Sequence, residues 1–562
     1  MSNVWKGGAA MQGLPIGIDD FAKVREGHYY FVDKTLAIRD FLDNHGEVLL
    51  LTRPRRFGKT LFLSMFYYFF AANPEHDYRK LFRGLAIERA GERYMAEQGK
   101  RPVLFLSLKD VRHRTWPDMV EKFRFLLSDL YDQYAYLMEV PGFSRAERRY
   151  FQRIHDGLAS PVEMEEALRR LMDMMKRYHQ KPVVLLLDEY DIPVQQAWEH
   201  GFYDDCMAFM RNFLSPALKT NPSLDFAVLT GVLRITKESI FSGLNNLEVS
   251  SVINRTYADW IGFTPEEVRV LAHARQQDKA LPVLRDWYDG YCFGSQEIYN
   301  PWSVLCFFKE QGQPQPYWGH TSGNVLLGEL LKQTDPVQED NLLRLIQGET
   351  VTAVLTENTI YPEVTDDPDA LYTVLLLTGY LKIVSRRLVI DTWVYVLAIP
   401  NREVRSIYRN EILSRLSPGR TTSYLMTTME HLMAGNGAAF AKGLQDILMK
   451  VASVYDTANR EAFYHGLLLG MTTLLVPEYE VKSNRESGLG RYDLAIYPRH
   501  KGQCGAILEF KAASSSDELQ QKAQEARRQI DEKGYEADFK DRGITKVLKY
   551  GIAFYGKQVV LV

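Results

Sequence analysis

The stretch LLLTRPRRFGKTLFLSMFYYFF, residues 49–70, decides how the N-terminal part of the chain folds. An apolar run breaks at Pro54, passes through Gly58-Lys59-Thr60 and continues into a long apolar segment. Strand, turn, GK[ST] and helix in that order make a phosphate-binding loop. Backbone N–H groups and a helix N-terminus wrap a phosphate, a lysine reaches the outer phosphates and a hydroxyl ligates Mg²⁺. Arg56, Phe57, Gly58, Lys59 and Thr60 are the candidate nucleotide-binding set, with Thr60 also a candidate metal ligand. The pattern GxxxxGK[ST] asks for glycine at position 53, where this chain has Arg53; Pro54 already forces the turn there. A Lys-Thr pair at an ordinary helix start gives the same tripeptide, so the assignment needs support elsewhere.

Two further segments supply it. In KPVVLLLDEYD the apolar residues Val183 to Leu187 run directly into Asp188 and Glu189, so a buried strand delivers two carboxylates to its C-terminal end, where open parallel sheets bind ligands. Asp188 is expected to hold Mg²⁺ and Glu189 to orient and deprotonate the attacking water; a solvated acidic strand end is the bland alternative. The strand in LDFAVLTGVLRITKESIF ends at Thr230, a candidate γ-phosphate sensor, and Arg234 follows as a candidate for meeting charge that develops on that phosphate. Thr230 could equally serve as a cap and Arg234 as a surface group.

Composition frames the rest. A chain of 562 residues, 46% hydrophobic, has length for three or four domains and ample core material. A net charge of −3 gives no global basic field, so any nucleic-acid surface must be local. The scattered cysteines Cys206, Cys292, Cys306 and Cys504 form no CxxC pair, which argues against a zinc ribbon or disulfide framework and points to the cytoplasm. No signal peptide or membrane-spanning run is expected.

Strand-like runs alternating with helical ones over 11–250 predict an α/β domain with a parallel sheet. Residues 251–430 read as a mostly helical middle region, with a capping box at Thr264 and Glu267 and, from Gly379, two strands compatible with a winged-helix subdomain. Residues 431–562 read as a small α/β domain. Its strands RYDLAIYP and GAILEFK flank a turn near Lys501, which sets Asp493 opposite Glu509, and Lys511 follows on the same face as Glu509. Two carboxylates and an ammonium can hold Mg²⁺ or Mn²⁺ against a scissile phosphate, with Lys511 on the water or the developing charge. An ordinary strand salt bridge is the alternative. Glu461, a further candidate metal ligand, and His465, read as a packing residue, lie on the preceding helix; Gln529 and Tyr535 lie on or just after the following one. Arg485, Arg491, Arg499, His500 and Lys501 could follow a phosphate backbone or merely form a solvated face. The FYYFF run is expected in the core.

The phrases GIDDFAKVREGHYYFVDKT, LLTRPRRFGKTLFLSM, LLLDEYDIPV and LTGVLRITKESIFSGLNNL, with WYDGYCFG and YNPWSVL, resemble the bacterial AAA-ATPase-like family fused to a C-terminal PD-(D/E)xK nuclease-like domain. That family carries RPRRFGK[ST] itself, so Arg53 departs from the generic loop and not from its relatives. QIDEKGY resembles the Gln/Tyr segment of RecB-type nucleases, which implies a catalytic role for Gln529. The expectation is an ATP-binding and ATP-hydrolysing protein that controls a metal-dependent nuclease acting on DNA or RNA. A nucleotide-dependent scaffold or sensor with a non-cleaving nuclease-like domain is the alternative, and oligomeric state stays open.

Overall fold

The computed structural model describes residues 12–562 apart from 45, 74–75, 140–141, 235–245, 321–326, 329, 331–335, 357–366, 417–420, 452–459, 476–477 and 488–489. Two compact units result: Met1–Gln333 with Thr352–Glu403, and Thr334–Val351 with Val404–Val562.

The first unit is built on a parallel sheet of β1 (Val48–Thr52), β2 (Val103–Ser107), β3 (Val183–Asp188), β4 (Leu224–Gly231) and β5 (Leu247–Ser250), in spatial order β2-β3-β4-β1-β5. The first four are the apolar runs recognisable in the sequence. β1 and β3 are buried at every position, as a strand covered on both faces requires. Register does the functional work: Ser107 pairs with Asp188 and Leu51 with Thr230, so the strand ends carrying polar chemistry finish level on one edge.

From that edge the chain leaves β1 through residues 53–58 and enters helix α1 (Lys59–Phe70). Gly58 caps the helix at φ +99°, a left-handed conformation that costs other residues a Cβ clash. The FYYFF run behaves as core. Phe66, Phe69 and Phe70 are fully buried, and Phe70 meets Phe226 edge to face at 5.2 Å.

Arg53 is the largest departure from the generic loop, and its side chain turns away from the turn into the protein. It is fully buried. Its guanidinium donates to the carbonyls of Thr52 and Ser250 at 2.8 Å each and of Tyr257 at 2.9 Å, and lies over the Phe293 ring. Burial pushes its pKa down to about 9. Arg53 thus fastens β1 to β5 and to the segment after β5, a structural duty that a glycine could not perform.

Beyond the sheet, β6 (Tyr291–Phe293) and β7 (Gln296–Ile298) form a short hairpin, followed by helix α2 (Pro301–Lys309). Helix α3 (Pro368–Leu377) stops at Gly379, whose φ of +89° directs the chain onward; a Cβ there would stand 2.9 Å from Pro54 Cβ, so this turn rests on the loop after β1. The two strands anticipated after Gly379 are β9 (Lys382–Val389) and β10 (Thr392–Ala398), which join β8 (Val351–Val354) in the order β8-β10-β9.

The second unit carries a mixed sheet in sequential order: β11 (Tyr479–Ser487), β12 (Gly490–Pro498), β13 (Gly505–Ala512), β14 (Val547–Tyr555) and β15 (Gln558–Leu561). β13 and β14 are parallel, the other neighbours antiparallel. Helix α4 (Arg460–Thr472) packs Leu467 and Leu468 on the face bearing Leu494, Leu508 and Phe510. Helix α5 (Leu519–Glu532) packs Ile530 on the opposite face, with Ala495 and Ile507. Among the described residues no helix is long and apolar enough to cross a membrane.

Replacing Arg53 by leucine removes the donor from three interior carbonyls. At about 1–3 kcal/mol for each buried acceptor left unpaired, Arg53→Leu is expected to cost roughly 3 kcal/mol or more, read as a lower urea midpoint with an unchanged slope. A midpoint equal to wild type would show that the arginine is dispensable to the sheet.

Candidate functional site

Asp188, at the end of β3, has no exposed surface. Thr60 Oγ1 donates to its Oδ2 at 2.8 Å, Thr230 Oγ1 to its Oδ1 at 2.6 Å, and Ser107 Oγ approaches Oδ2 at 3.3 Å. Burial raises the Asp188 pKa, and the Thr230 and Thr60 hydroxyls oppose that rise by stabilising the anion. The first turn of α1, the end of β4 and the end of β3 are thereby joined at one carboxylate. Lys59 is almost completely buried, and its Nζ donates to the carbonyls of Arg53 (3.1 Å) and Pro54 (3.0 Å), drawing the loop around its own ammonium. Burial lowers its pKa, against the pull of Glu189, Asp191 and Asp188. Glu189 has a left-handed backbone at φ +51°, uncommon for a residue with a Cβ, and its carboxylate lies 3.8 Å from the Arg112 guanidinium.

These groups border a cavity of about 540 Å³ lined by Arg55 through Thr60 and by Glu189. Away from the loop the lining mixes aromatic and apolar residues, among them Tyr30, Trp260 and Trp302, with the charged Asp19, Lys34, Lys109, Asp110 and Arg112. Arg56, at φ +67°, stacks its guanidinium 4.5 Å over Trp302, and Phe57 is buried edge-to-face against Tyr291. A cavity of this size that offers basic side chains and aromatic faces suits a ligand with an anionic and an aromatic part.

In the second unit, β12 and β13 pair Leu494 with Leu508, and the next residues along are Asp493 and Glu509. Asp493 Oδ2 accepts the Phe510 N–H at 2.7 Å, tying the carboxylate across the strand pair. Glu509 is buried, with Lys511 Nζ 3.9 Å from its Oε1. Gln529 on α5 donates to the same oxygen and lies 3.3 Å from the Tyr535 hydroxyl. That approach depends on Gly551, which pairs with Glu509: a Cβ at 551 would come within 2.2 Å of the Ala523 carbonyl on α5. Behind the strand pair, His465 on α4 reaches Ser483 Oγ (3.0 Å) and the Asp493 carbonyl (3.3 Å) and packs on Phe510. Glu461 lies on the same helix, but its side chain is outside the described residues, as are those of Arg485 and Arg491. Among the described residues no three His, Cys, Asp or Glu side chains gather as a metal set. Asp493 and Glu509 stand on neighbouring strands, one residue beyond the Leu494–Leu508 pair, and their carboxylates offer the oxygen donors that hard divalent cations take.

Residues 15–241 match the family model described as a predicted AAA-ATPase, and residues 459–562 match the PD-(D/E)XK nuclease superfamily. The chain joins an AAA-ATPase-like domain to a PD-(D/E)XK nuclease-superfamily domain. A relative from Azotobacter chroococcum mcd 1, named as an uncharacterized protein in the vnfD 5′ region, is 27% identical over 555 residues, covering 94% of each chain.

Within the AAA-ATPase-like domain, Gly58, Lys59, Thr60, Asp188, Glu189 and Thr230 converge on one edge of the sheet. Arg234 does not line the cavity; its Nε is buried without an acceptor among the described residues, and residues 235–245 beyond it are undescribed. In the nuclease-superfamily domain, Asp493, Glu509, Lys511 and Gln529 cluster. Arg499, His500 and Lys501 are exposed at the far end of the strand pair, roughly 20 Å along β12 from Asp493 at about 3.3 Å per residue.

Sequence reasoning passed over Asp191, the last residue of DEYD. It is buried, its Oδ2 accepts the N–H groups of Val232 (2.8 Å) and Leu233 (3.0 Å), and burial raises its pKa. Asp191 fixes the segment after Thr230 against the end of β3. Gly231 is needed there, because a Cβ would lie 2.7 Å from Asp191 Oδ1. The signal was available in the third carboxylate of the phrase, but not its partner across some forty residues. Asp191→Ala leaves two buried N–H groups without this acceptor and is expected to destabilise the domain by about 2 kcal/mol. Stability equal to wild type by urea denaturation would refute that role.

Proposed function

We propose that the chain binds and hydrolyses ATP in its AAA-ATPase-like domain and, under control of that nucleotide, cleaves phosphodiester bonds of DNA or RNA in its C-terminal domain. The observation that carries this reading is a matched pair of polar clusters in one chain. One gathers Lys59, Thr60, Asp188, Glu189 and Thr230 at a sheet edge beside a cavity, and the other sets Asp493 and Glu509 together with Lys511 and Gln529.

At the ATP site, Lys59 exchanges the carbonyls of Arg53 and Pro54 for phosphate oxygens, and the N–H groups of residues 56–60 wrap the phosphates. Thr60 and Asp188 would hold the accompanying Mg²⁺. Glu189 takes the proton of the attacking water, Thr230 reads the γ-phosphate, and Arg234 is the candidate for charge developing on it. At the nuclease site Asp493 and Glu509, with Glu461 as the candidate third ligand, would hold Mg²⁺ or Mn²⁺. A cation there supplies positive charge against the scissile phosphate and acidifies water. Gln529 orients Glu509, and Lys511 positions the water or meets charge on the phosphate. ATP shifts the nuclease only to the extent that it binds one conformation of the chain better than another.

The two carboxylates after β3 have separable duties. Glu189→Gln is expected to bind Mg-ATP as wild type does while hydrolysing it at least about tenfold more slowly, a modest loss for a general base. Normal turnover by this variant would move the base elsewhere. For the nuclease, Asp493→Asn and Glu509→Gln are expected to abolish both Mn²⁺ binding and cleavage, whereas Lys511→Ala loses cleavage and keeps Mn²⁺ binding by calorimetry. If none of the three changes any catalytic rate because wild type cleaves no nucleic acid, the C-terminal domain is a non-cleaving scaffold.

A further inference from the structure

The hairpin of β9 and β10 is built against the usual rules for an exposed hairpin. From Val384 to Trp393 every residue is exposed, on both faces of the ribbon. Five of these are large and apolar: Val384, Leu388, Val389, Ile390 and Trp393, with Ile390 at the tip 88% exposed. A free ribbon with this surface invites aggregation unless something covers it.

The tip itself is strained. Ile390-Asp391 forms a two-residue connection between paired Val389 and Thr392, and Ile390 has φ +55°. Asn or Gly suits such a position, and a β-branched residue there is an outlier. The hairpin thus presents a large apolar side chain at its tip, 88% exposed, on a backbone that favours Asn or Gly.

Charge indicates the kind of partner. Across Lys382–Ala398 there are three cations, Lys382, Arg386 and Arg387, against one acid, Asp391. Arg386 lies 4.7 Å over the Trp393 ring, and Leu388 is directly opposite Trp393. A two-stranded ribbon fits the major groove of B-form DNA, where apolar side chains meet thymine methyl groups and flanking arginines meet the phosphates. The deep, narrow major groove of A-form RNA does not admit such a ribbon. The hairpin's root is held firmly, since the Gly379 turn before β9 rests on Pro54 and Tyr380 packs on Trp318 at 5.1 Å.

We propose that the β9–β10 hairpin is a duplex-DNA-binding element, in which Arg386 and Arg387 engage backbone phosphates and Ile390 at the tip enters the major groove.

The test is full-length protein titrated into a labelled 20–30 base-pair duplex in EDTA, read by fluorescence anisotropy over a range of salt; the absence of divalent metal separates binding from any cleavage. Arg386→Gln/Arg387→Gln is expected to weaken binding at least about tenfold near 0.1 M salt and to reduce the slope of log affinity against log salt by about two. Ile390→Asn removes the apolar tip while relieving its backbone. It should melt no lower than wild type, yet bind at least about fivefold more weakly with an unchanged salt slope. Wild-type protein that does not bind duplex DNA, or variants that bind it equally well, would overturn the proposal. So would tighter binding of duplex RNA or single strands through the same residues, or variants that alter only self-association. Because no cleavage is required, a chain that binds through this hairpin but cuts nothing would uphold the surface while refuting the nuclease.

Discussion

The polar sheet edge of the AAA-ATPase-like domain is organised around one fully buried carboxylate, that of Asp188. Asp188 ends β3, a strand buried at every position, and burial raises its pKa. The hydroxyls of Thr60 and Thr230 stabilise the anion, and hydrogen bonds to a charged group are worth about 1.5–3 kcal/mol each. Since these hydroxyls come from α1 and β4, hydrogen-bonding both oxygens of one carboxyl group ties three elements together. Two further buried polar groups work alongside. Arg53 draws β1 and β5 together, and Asp191 secures the segment after β4.

The C-terminal domain solves a similar problem with different means. Strand pairing sets Asp493 beside Glu509, and the Phe510 N–H and the Gln529 amide hold the two carboxylates in place. Gln529 can reach because Gly551 lets α5 settle directly on β14. A side chain at 551 would lift the helix and withdraw the amide, so a glycine with no chemistry of its own sets the geometry of the acidic pair.

What could be read in advance was what short-range rules encode. Four uninterrupted Val/Leu-rich runs could only be covered strands, GKT and DE lie at fixed offsets from strand ends, and the two-residue period placed Lys511 beside Glu509. What escaped involves partners distant in sequence. Nothing near Arg53 says that its guanidinium seeks the carbonyls of residues 250 and 257, and nothing in DEYD says that Asp191 captures residues 232 and 233. β5, four residues long and only partly buried, lacks the periodicity that revealed its neighbours. The aromatic wall of the cavity draws Tyr30, Trp260 and Trp302 from three separate segments, each unremarked in its own context. The alternating strands after Gly379 were visible, but alternation implies a buried face, and the outer half of that hairpin has none.

In the proposed function, the acidic pair beside Lys511 serves metal-dependent cleavage of nucleic acid under control of a nucleotide site in the same chain. The most direct measurement incubates wild-type protein with single- and double-stranded DNA and RNA in millimolar Mn²⁺, with and without ATP. Cleavage of at least one substrate is expected, abolished by EDTA and changed in rate when ATP is added. Protein that binds ATP yet neither takes up Mn²⁺ nor cuts any substrate, in either nucleotide condition, would contradict it.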